Sequence, residues 1–441
     1  MTFLTLLIAK TAAAVLNLLG RGATSLPGRI AVSLKQNILS VLSRGVRIIC
    51  VTGTNGKTTT CALIEQGLKS NGKSYFVNRG GANMLGGVVS AFIANSTVFG
   101  KCKKDFAVLE CDENSFPIIA RWIDADCVAI TNIFRDQLDR YGEVSTTLSK
   151  ILTAVELMPN ATLCLNADCP LTYSLSLHCK NKMVTYGVDA DLKNNTIVDS
   201  RTCPKCGNAL EYRSVVYSRL GDYVCRSCGY SRPNPDYCIT NIMELNELGS
   251  RFMINSHLVK LSLGGVYNVY NSAAALALTR SIIGDSIDYS KLFKKLSCIK
   301  PAFGRGEIIK IDGKIIELVL VKNPSGFQLS LSSSPAKNTS IMIAINDNYA
   351  DGRDMSWLWD VDFTTLRSYG VDMVSGVRAY DMALRLQHDD VDISKIDTNL
   401  ESALGYFLSQ DNPRKRIYCT YTAMLKIRRQ LSKKVNLEKV L

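Results

Sequence analysis

Histidine is scarce in this chain of 441 residues: there are three, His178, His257 and His388. None stands in a recognisable Cys–His setting, so a complete thiol nucleophile with its own base is not visible here. An uninterrupted membrane-length apolar run is also missing. The stretch MTFLTLLIAKTAAAVLNLLG is broken by Lys10 and has neither a charged n-region nor a clear cleavage site. It is expected to be an amphipathic helix that packs on the protein or rests on a membrane surface, rather than a signal peptide or a spanning helix. Internal repeats and low-complexity tracts are absent. The fifteen cysteines are not the even, regularly spaced set of a secreted scaffold. Cys50, Cys61 and Cys164 lie in apolar runs and read as small buried hydrophobes, which points to reduced thiols and a cytoplasmic location.

What remains is ordinary for a globular protein, with 46% hydrophobic and 21% charged residues. The length predicts two or three domains. The net charge of +13 suits a polyanionic partner: nucleic acid, an anionic membrane face or a charged substrate. Part of it is local, since Arg414, Lys415, Arg416, Lys426, Arg428, Arg429, Lys433 and Lys434 crowd together; a solvated helix face is the expectation there.

Apolar strands alternate with helical stretches through the first half. RIICVTGT from Arg47, a strand at Ser74–Val77, FAVLE, CVAITNI from Cys127 and ATLCLNAD from Ala161 read as buried strands. This predicts a helix-covered parallel sheet with its functional loops at the carboxyl ends of the strands. From 201 to 236 the composition shifts to Cys, Tyr, Arg, Gly and Pro, which marks an insertion. The pattern returns with GGVYNVYNSAAALALTR and breaks again at KPAFGRGE; IIELVL and SIMIAIND then begin a second α/β domain. The expected division is a helical segment 1–45, an ATP-binding domain 46–300 carrying the insertion, and a C-terminal α/β domain 301–441.

The strongest chemical signal is Gly53-Thr54-Asn55-Gly56-Lys57-Thr58-Thr59 between a strand and a helix. Glycines let backbone amides approach phosphate oxygens, and the helix N-terminus adds partial positive charge. Lys57 is expected on the β- and γ-phosphates, and Thr58 on Mg²⁺. The loop is a shortened variant, with Val51 where a full Walker A motif has glycine.

The second strong signal is Cys203-x-x-Cys206 followed by Cys225-x-x-Cys228, each pair followed by glycine. Four thiolates suit tetrahedral Zn²⁺ in a closed, structural site. A ribbon of this kind can also bind nucleic acid, and Tyr212, Tyr217, Tyr223, Arg226 and Arg232 fit that alternative. Later, Asp347, Asp351 and Asp354 follow an apolar strand, where Asp347 and Asp351 read equally well as turn or capping residues.

The glycine loop and the elements after it resemble the Mur ligases, which couple ATP hydrolysis to amide bond formation in peptidoglycan synthesis; the folylpolyglutamate synthetases are relatives. LECDE is similar to the family's magnesium-binding strand end, here Glu110. TNIFRDQLDRYG is similar to its T-N-x-x-x-D-H-x-D segment, with Asn132, Asp136 and Asp139. LNADCP, with Asn166 and Asp168, and FGRGE, with Arg305, also resemble family segments. YNVYNSAAALA is similar to the segment in which Asn268 and Asn271 would face the adenine. Gln137 stands where most of the family has a histidine that helps hold a second Mg²⁺; this leaves that second metal open, while Thr58 and Glu110 keep the first.

The four-cysteine ribbon, with VKNPSG and INDNYADGRDMSW in the second half, resembles one branch: the synthetase subunit of a lipid II isoglutaminyl synthase. The resemblance implies a Mur-ligase-type P-loop domain with an inserted zinc ribbon and a smaller α/β C-terminal domain. It implies ATP, Mg²⁺ and Zn²⁺, and lipid II as substrate at the inner membrane face. It implies a heterodimer with a GatD-type glutamine amidotransferase, and no nucleic acid. It also implies that Asp354 completes the partner's Cys-His-Asp triad, while Lys57 and Glu110 act on the nucleotide. Two alternatives stand beside it: a Mur-type ligase that adds an amino acid, and an ATP-dependent zinc-ribbon protein that acts on nucleic acid.

Overall fold

The computed structural model describes residues 1–19, 22–134, 144–190, 202–246, 249–300, 305–333, 338–435 and 437, apart from the side chains of 305, 306 and 333. They form two compact units. One comprises Met1–Ile133 and Ser145–Ile299, and the other contains Lys300–Val440.

The first unit opens with α1 (Thr2–Leu18), α2 (Leu26–Leu34) and α3 (Ile38–Leu42). The sheet then begins: β1 (Arg47–Thr52), α4 (Lys57–Ser70), β2 (Tyr75–Val77), α5 (Leu85–Ala94), β3 (Phe106–Glu110), α6 (Phe116–Ala120), β4 (Cys127–Ile130), β5 (Thr162–Asn166) and β6 (Met183–Val188). A separate hairpin, β7 (Glu211–Tyr217) and β8 (Leu220–Val224), interrupts it. The sheet resumes with β9 (Tyr237–Leu245), β10 (Ser250–Ile254) and β11 (His257–Leu261).

The nine strands run in the order β11-β10-β9-β6-β5-β4-β1-β3-β2. All neighbours from β2 to β9 are parallel, and β10 is antiparallel to both β9 and β11. Ile48, Ile49, Cys50 and Val51 are all buried, because helices cover both faces of a parallel sheet and neither face tolerates polar side chains. β1 lies between β3 and β4. The chain winds to one side of β1 and then crosses to the other, which puts the loop after β1 at the switch point where α/β sheets bind ligands. The antiparallel strands were not legible in the sequence. β9 is mostly exposed and carries no continuous apolar run, so it gives a weak periodic signal.

In the second unit β12 (Arg305–Ile311) and β13 (Lys314–Leu320) form a hairpin through Asp312-Gly313, whose φ angles of 49° and 75° suit a tight two-residue turn. With β14 (Ser340–Ala344), β15 (Met373–Ser375), β16 (Ile396–Asp397) and β17 (Arg414–Cys419), the order is β12-β13-β17-β14-β15-β16. Side chains alternate between two cores: Val319, Ile343 and Tyr418 with Phe327 on one face, Leu318, Met342 and Ile417 with Met424 on the other.

The basic crowd near the end of the chain is not one solvated face. Lys415 and Arg416 lie on β17, between β13 and β14, and are buried. Arg416 pairs with Glu317 at 2.6 Å and buried Arg428 pairs with Glu307 at 2.8 Å. The Lys415 ammonium lies 4.8 Å from the centre of the Phe407 ring. Only Arg414, Lys426, Arg429, Lys433 and Lys434 remain exposed.

Candidate active site

The glycine loop links β1 to α4, and its backbone admits nothing but glycine at two points. Gly53 and Gly56 have φ of 118° and 90°. A Cβ on Gly53 would stand 2.4 Å from Thr131 Oγ1, and one on Gly56 would stand 2.2 Å from Asn271 Oδ1. The loop is therefore clamped from two directions. On one side Asn132 holds the Asn55 peptide both ways: its Oδ1 accepts from Asn55 N at 3.0 Å and its Nδ2 donates to Asn55 O at 3.0 Å. Thr131 Oγ1 donates to the same carbonyl at 2.7 Å. On the other side stands the buried helix Val266–Ile283. There Asn271 Nδ2 donates to Asn268 Oδ1 at 3.2 Å, and Asn268 Nδ2 donates to Gly264 O at 2.7 Å. Asn271, one of the two asparagines that the resemblance assigns to the adenine, lies against Gly56 of the loop and Thr60 of α4.

No side chain caps the N-terminus of α4. Lys57 curls back over the loop, its ammonium 2.6 Å from Gly53 O and 2.6 Å from Glu113 Oε1. Both partners of that ion pair are almost fully buried. Burial alone would lower the Lys57 pKa; Glu113 first, then Glu110 and Asp112, outweigh it and hold the pKa above its ordinary value. Thr58 and Glu110 are half-buried. Glu110 ends β3 and is in register with Val51 of β1, so it stands at the same sheet edge as the loop. Its backbone is locked by buried Asn78, which accepts from Glu110 N and donates to Glu110 O, both at 2.8 Å.

Sequence reasoning gave Asn78, Thr131 and Glu113 no role. All three sit at carboxyl ends of strands or just beyond, so the strand-end rule was the available signal. Asp136, Gln137 and Asp139 lie outside the described residues, as does the side chain of Arg305.

A second network joins the insertion to this site. Asn166 Nδ2 donates to Thr131 O at 3.1 Å, and its Oδ1 accepts from Asp168 N at 3.0 Å. Asp168 is fully buried. Its Oδ1 meets Arg232 Nε at 2.6 Å, and its Oδ2 accepts from Val188 N at 2.8 Å and from the Tyr270 hydroxyl. Burial pushes the carboxyl up, to about 6, against the pull of Arg232 and Tyr270. With a guanidinium and these donors around it, the group is ionised at neutral pH. Tyr270 adjoins Asn271 in sequence, so the ribbon's Arg232 bears on the helix that clamps the phosphate loop.

The four cysteines converge. Their sulfurs lie within 4.8 Å of one another, with Cys203–Cys228 at 3.7 Å and Cys206–Cys225 at 3.6 Å. Thiolates 2.3 Å from a tetrahedral ion would stand ~3.8 Å apart, so the set fits a closed four-sulfur metal site. Each knuckle is tied by an amide after its second cysteine: Gly207 N donates to Cys203 O and Gly229 N to Cys225 O. The insertion is held by more than its cysteines. It has a small aromatic core, where Tyr223 packs between Tyr212 and Tyr230, and Tyr230 donates to Pro170 O at 2.6 Å. Tyr217, Tyr223 and Arg232 are thus committed inside the fold, which removes three of the five residues offered for nucleic-acid contact.

In the second unit the acidic residues after β14 have distinct settings. Asp347 Oδ2 pairs with Arg378 at 2.8 Å. Asp351 is buried, and its two oxygens accept from Thr422 N at 2.7 Å, Thr422 Oγ1 at 2.5 Å and Asn348 N at 3.1 Å. Asp354 is half-buried, and its Oδ1 accepts from Ser356 N at 2.8 Å. His178 is exposed, His257 stacks on Tyr289 and His388 meets the edge of Trp359.

Comparison with known proteins agrees with this geometry. The Mur ligase middle domain matches residues 51–279, and the fold is shared with solved ligases. One is the pseudomurein peptide ligase type C of Methanothermus fervidus (TM-score 0.69, 22% identity, 90% of this chain and 81% of that one). Another is MurF of Acinetobacter baumannii (TM-score 0.67, 16% identity, 92% and 81%). A parallel sheet, a glycine loop at its switch point and a strand-end acid beside the loop define a ligase of the Mur type. The MurT ligase C-terminal model matches residues 320–424. A lipid II isoglutaminyl synthase (glutamine-hydrolyzing) subunit MurT from Streptococcus pneumoniae is 38% identical over 98% of this chain and 97% of its own. Its counterpart in Staphylococcus aureus is 34% identical over 88% and 87%. The chain belongs to the MurT family.

The Asp168–Arg232 pair gives a direct stability test. Arg232→Met leaves a buried carboxylate without its counter-charge and is expected to cost about 3–5 kcal/mol. The Asp168→Asn/Arg232→Met double variant removes both charges and is expected to cost less than that single change. Urea denaturation of the two variants checks the order.

Proposed function

We propose that this chain is the ATP-dependent synthetase subunit of a lipid II isoglutaminyl synthase. It converts the α-carboxylate of D-glutamate in the lipid II stem to the amide, giving D-isoglutamine. The observation that carries the reading is the clamped glycine loop, with Lys57 buried over it and Glu110 and Glu113 at the adjacent strand end. Family membership supports the substrate and the amide chemistry.

In this reading the loop amides and the N-terminus of α4 receive the triphosphate. Lys57, kept charged by its acidic neighbours, exchanges its contact with Glu113 for phosphate oxygens and neutralises charge as the γ-phosphoryl group leaves ADP. The stem carboxylate oxygen attacks the γ-phosphorus; the bond to ADP breaks and an acyl phosphate forms. Ammonia attacks the acyl carbon, phosphate leaves, and a proton is lost from nitrogen. Mg²⁺ would be held by the Thr58 hydroxyl and the Glu110 carboxylate, and would supply charge neutralisation on the phosphates. Asn268, Asn271 and Arg305 are assigned to the nucleotide, with Gly53, Thr54, Asn55, Gly56 and Thr59. The four cysteines hold Zn²⁺ in a structural role.

The ammonia comes from a GatD-type glutaminase: His178, the one histidine with a cysteine beside it in the sequence (Cys179), lies in no recognisable glutaminase setting, and the MurT relatives are named as subunits of a glutamine-hydrolyzing synthase. Asp354 orients the partner's histidine. Exposed apolar side chains at Tyr349, Trp359, Val377 and Tyr380, in the loops and short helices after β14 and β15, supply a docking surface of the composition interfaces favour. The enzyme works in the cytoplasm, at the inner membrane face where its lipid-linked substrate lies. An amino-acid-adding ligase, the alternative, has no use for a glutaminase.

Lys57→Ala is expected to cut ATP-dependent amide formation on lipid II by about a hundredfold or more while the glutaminase still co-elutes. Mass spectrometry of the lipid and gel filtration of the complex check both halves. Asp354→Asn should lose glutamine-driven product by a similar factor yet keep product formed from ammonium salts; full glutaminase activity in that variant refutes the role of Asp354. Elemental analysis of natively purified protein is expected to find a single zinc ion per chain, and its chelation should lower the melting temperature.

A further inference from the structure

A largely apolar helix is normally buried; α1 leaves one of its apolar faces exposed. Its inner face is pinned by buried Leu6 and Ala9, and by Lys10, whose ammonium donates to Ile93 O and Ser96 O at 2.5 and 2.8 Å. Its outer face carries Phe3, Leu4, Leu7, Ile8, Val15 and Leu18, every one exposed, at the spacing of a single helical stripe. The only charge on the helix, Lys10, points inward, and Thr11 is the one exposed polar side chain within the outer stripe. Phe99 extends the patch, stacking on Phe3 with ring centres 5.6 Å apart, and is 78% exposed.

The surroundings of this stripe are basic. Lys35 Nζ donates to Thr2 Oγ1 at 2.7 Å, at the start of α1. Gly100 abuts Leu6 and Thr2, which brings the exposed Lys101 and Lys103 alongside the helix. Residues 1–104 contain thirteen Lys or Arg and one acid, Glu65, which is occupied by Arg79 and Tyr75; the next acid, exposed Asp105, accepts from Ser74 Oγ. The outer stripe lacks the Trp, Tyr and Arg side chains that anchor protein–protein contacts. At 1.5 Å per residue α1 is about 25 Å long, short of the ~30 Å hydrocarbon core, and it is fastened to α2 and α5 along its inner face. A helix of this kind lies in a membrane interface and does not cross it.

We propose that the outer stripe of α1, with Phe99 and the flanking lysines, docks this protein on an anionic phospholipid bilayer. The leucines and Phe3 enter the acyl boundary while Lys35, Lys101 and Lys103 meet headgroup phosphates. This deepens the reading of a lipid-linked substrate, but its evidence is separate and so is its test.

The test is flotation of the full chain, with no nucleotide or lipid II present, on vesicles of mixed phosphatidylglycerol and phosphatidylcholine and on vesicles of phosphatidylcholine alone. Binding is expected on the anionic vesicles and should weaken as salt is raised. Leu4→Glu/Leu7→Glu, at exposed positions, should reduce it about tenfold or more with an unchanged melting temperature. Lys101→Glu/Lys103→Glu should do the same through charge alone, by about tenfold. ATP turnover on detergent-solubilised lipid II should be unaffected in both variants, so failure of docking is distinguishable from failure of the catalytic reading. Equal binding to both vesicle types, no binding to either, or unchanged flotation of the leucine variant overturns the proposal. So does a dimer in light scattering that those leucine changes dissolve, which would assign the stripe to a second copy of the chain.

Discussion

The constraint on which the first unit depends is the absence of space around the glycine loop. Gly53 is pressed against Thr131 and Gly56 against Asn271, so the backbone of residues 53–56 is fixed by walls that come from the ends of β4 and from a helix far along the chain. A loop held this way has little conformational entropy left to lose when a phosphate arrives. The same walls take up two of its amides: Thr54 N donates to the Asn132 carbonyl and Asn55 N to the Asn132 side chain. Lys57 completes the arrangement. Its buried pair with Glu113 stores a positive charge beside the loop that water would otherwise disperse.

The ribbon belongs to this scheme through one carboxylate. Asp168 gathers contacts from Val188, Arg232 and Tyr270 and passes the position of the insertion to the helix that carries Asn271. The four-sulfur site is therefore not an ornament on a loop. It fixes the segment that presents Arg232, and buried ion pairs of this kind are strict about geometry because a misplaced partner leaves a bare charge.

Much of this was legible in the sequence where the signal is local. The strand–glycine loop–helix order, the paired CxxC knuckles and the apolar runs of β1, β3, β4 and β5 are each written in consecutive residues. What was not legible depends on distant partners. Nothing near Asn78 says that it will bracket Glu110, and nothing near Arg232 says that its partner is Asp168. Lys415 and Arg416 misled for the same reason: a run of basic residues looks solvated until the strands on either side of β17 are known. The antiparallel strands β9 to β11 went unseen because their exposed faces dilute the alternation.

One consequence concerns how the protein is made. Thr60, one turn into α4, and Asn271, its neighbour across the clamp, are 211 residues apart in the chain. At ribosomal speeds of 5–20 residues per second, the loop emerges about 10–40 seconds before the helix that closes on it. During that interval the nascent sheet has its phosphate-binding turn but only one wall of the clamp. The long-range closure is also the kind of step that slows folding. The clamp on the phosphate loop is thus completed only by the arrival of the helix Val266–Ile283, after the four-cysteine ribbon has already been synthesised.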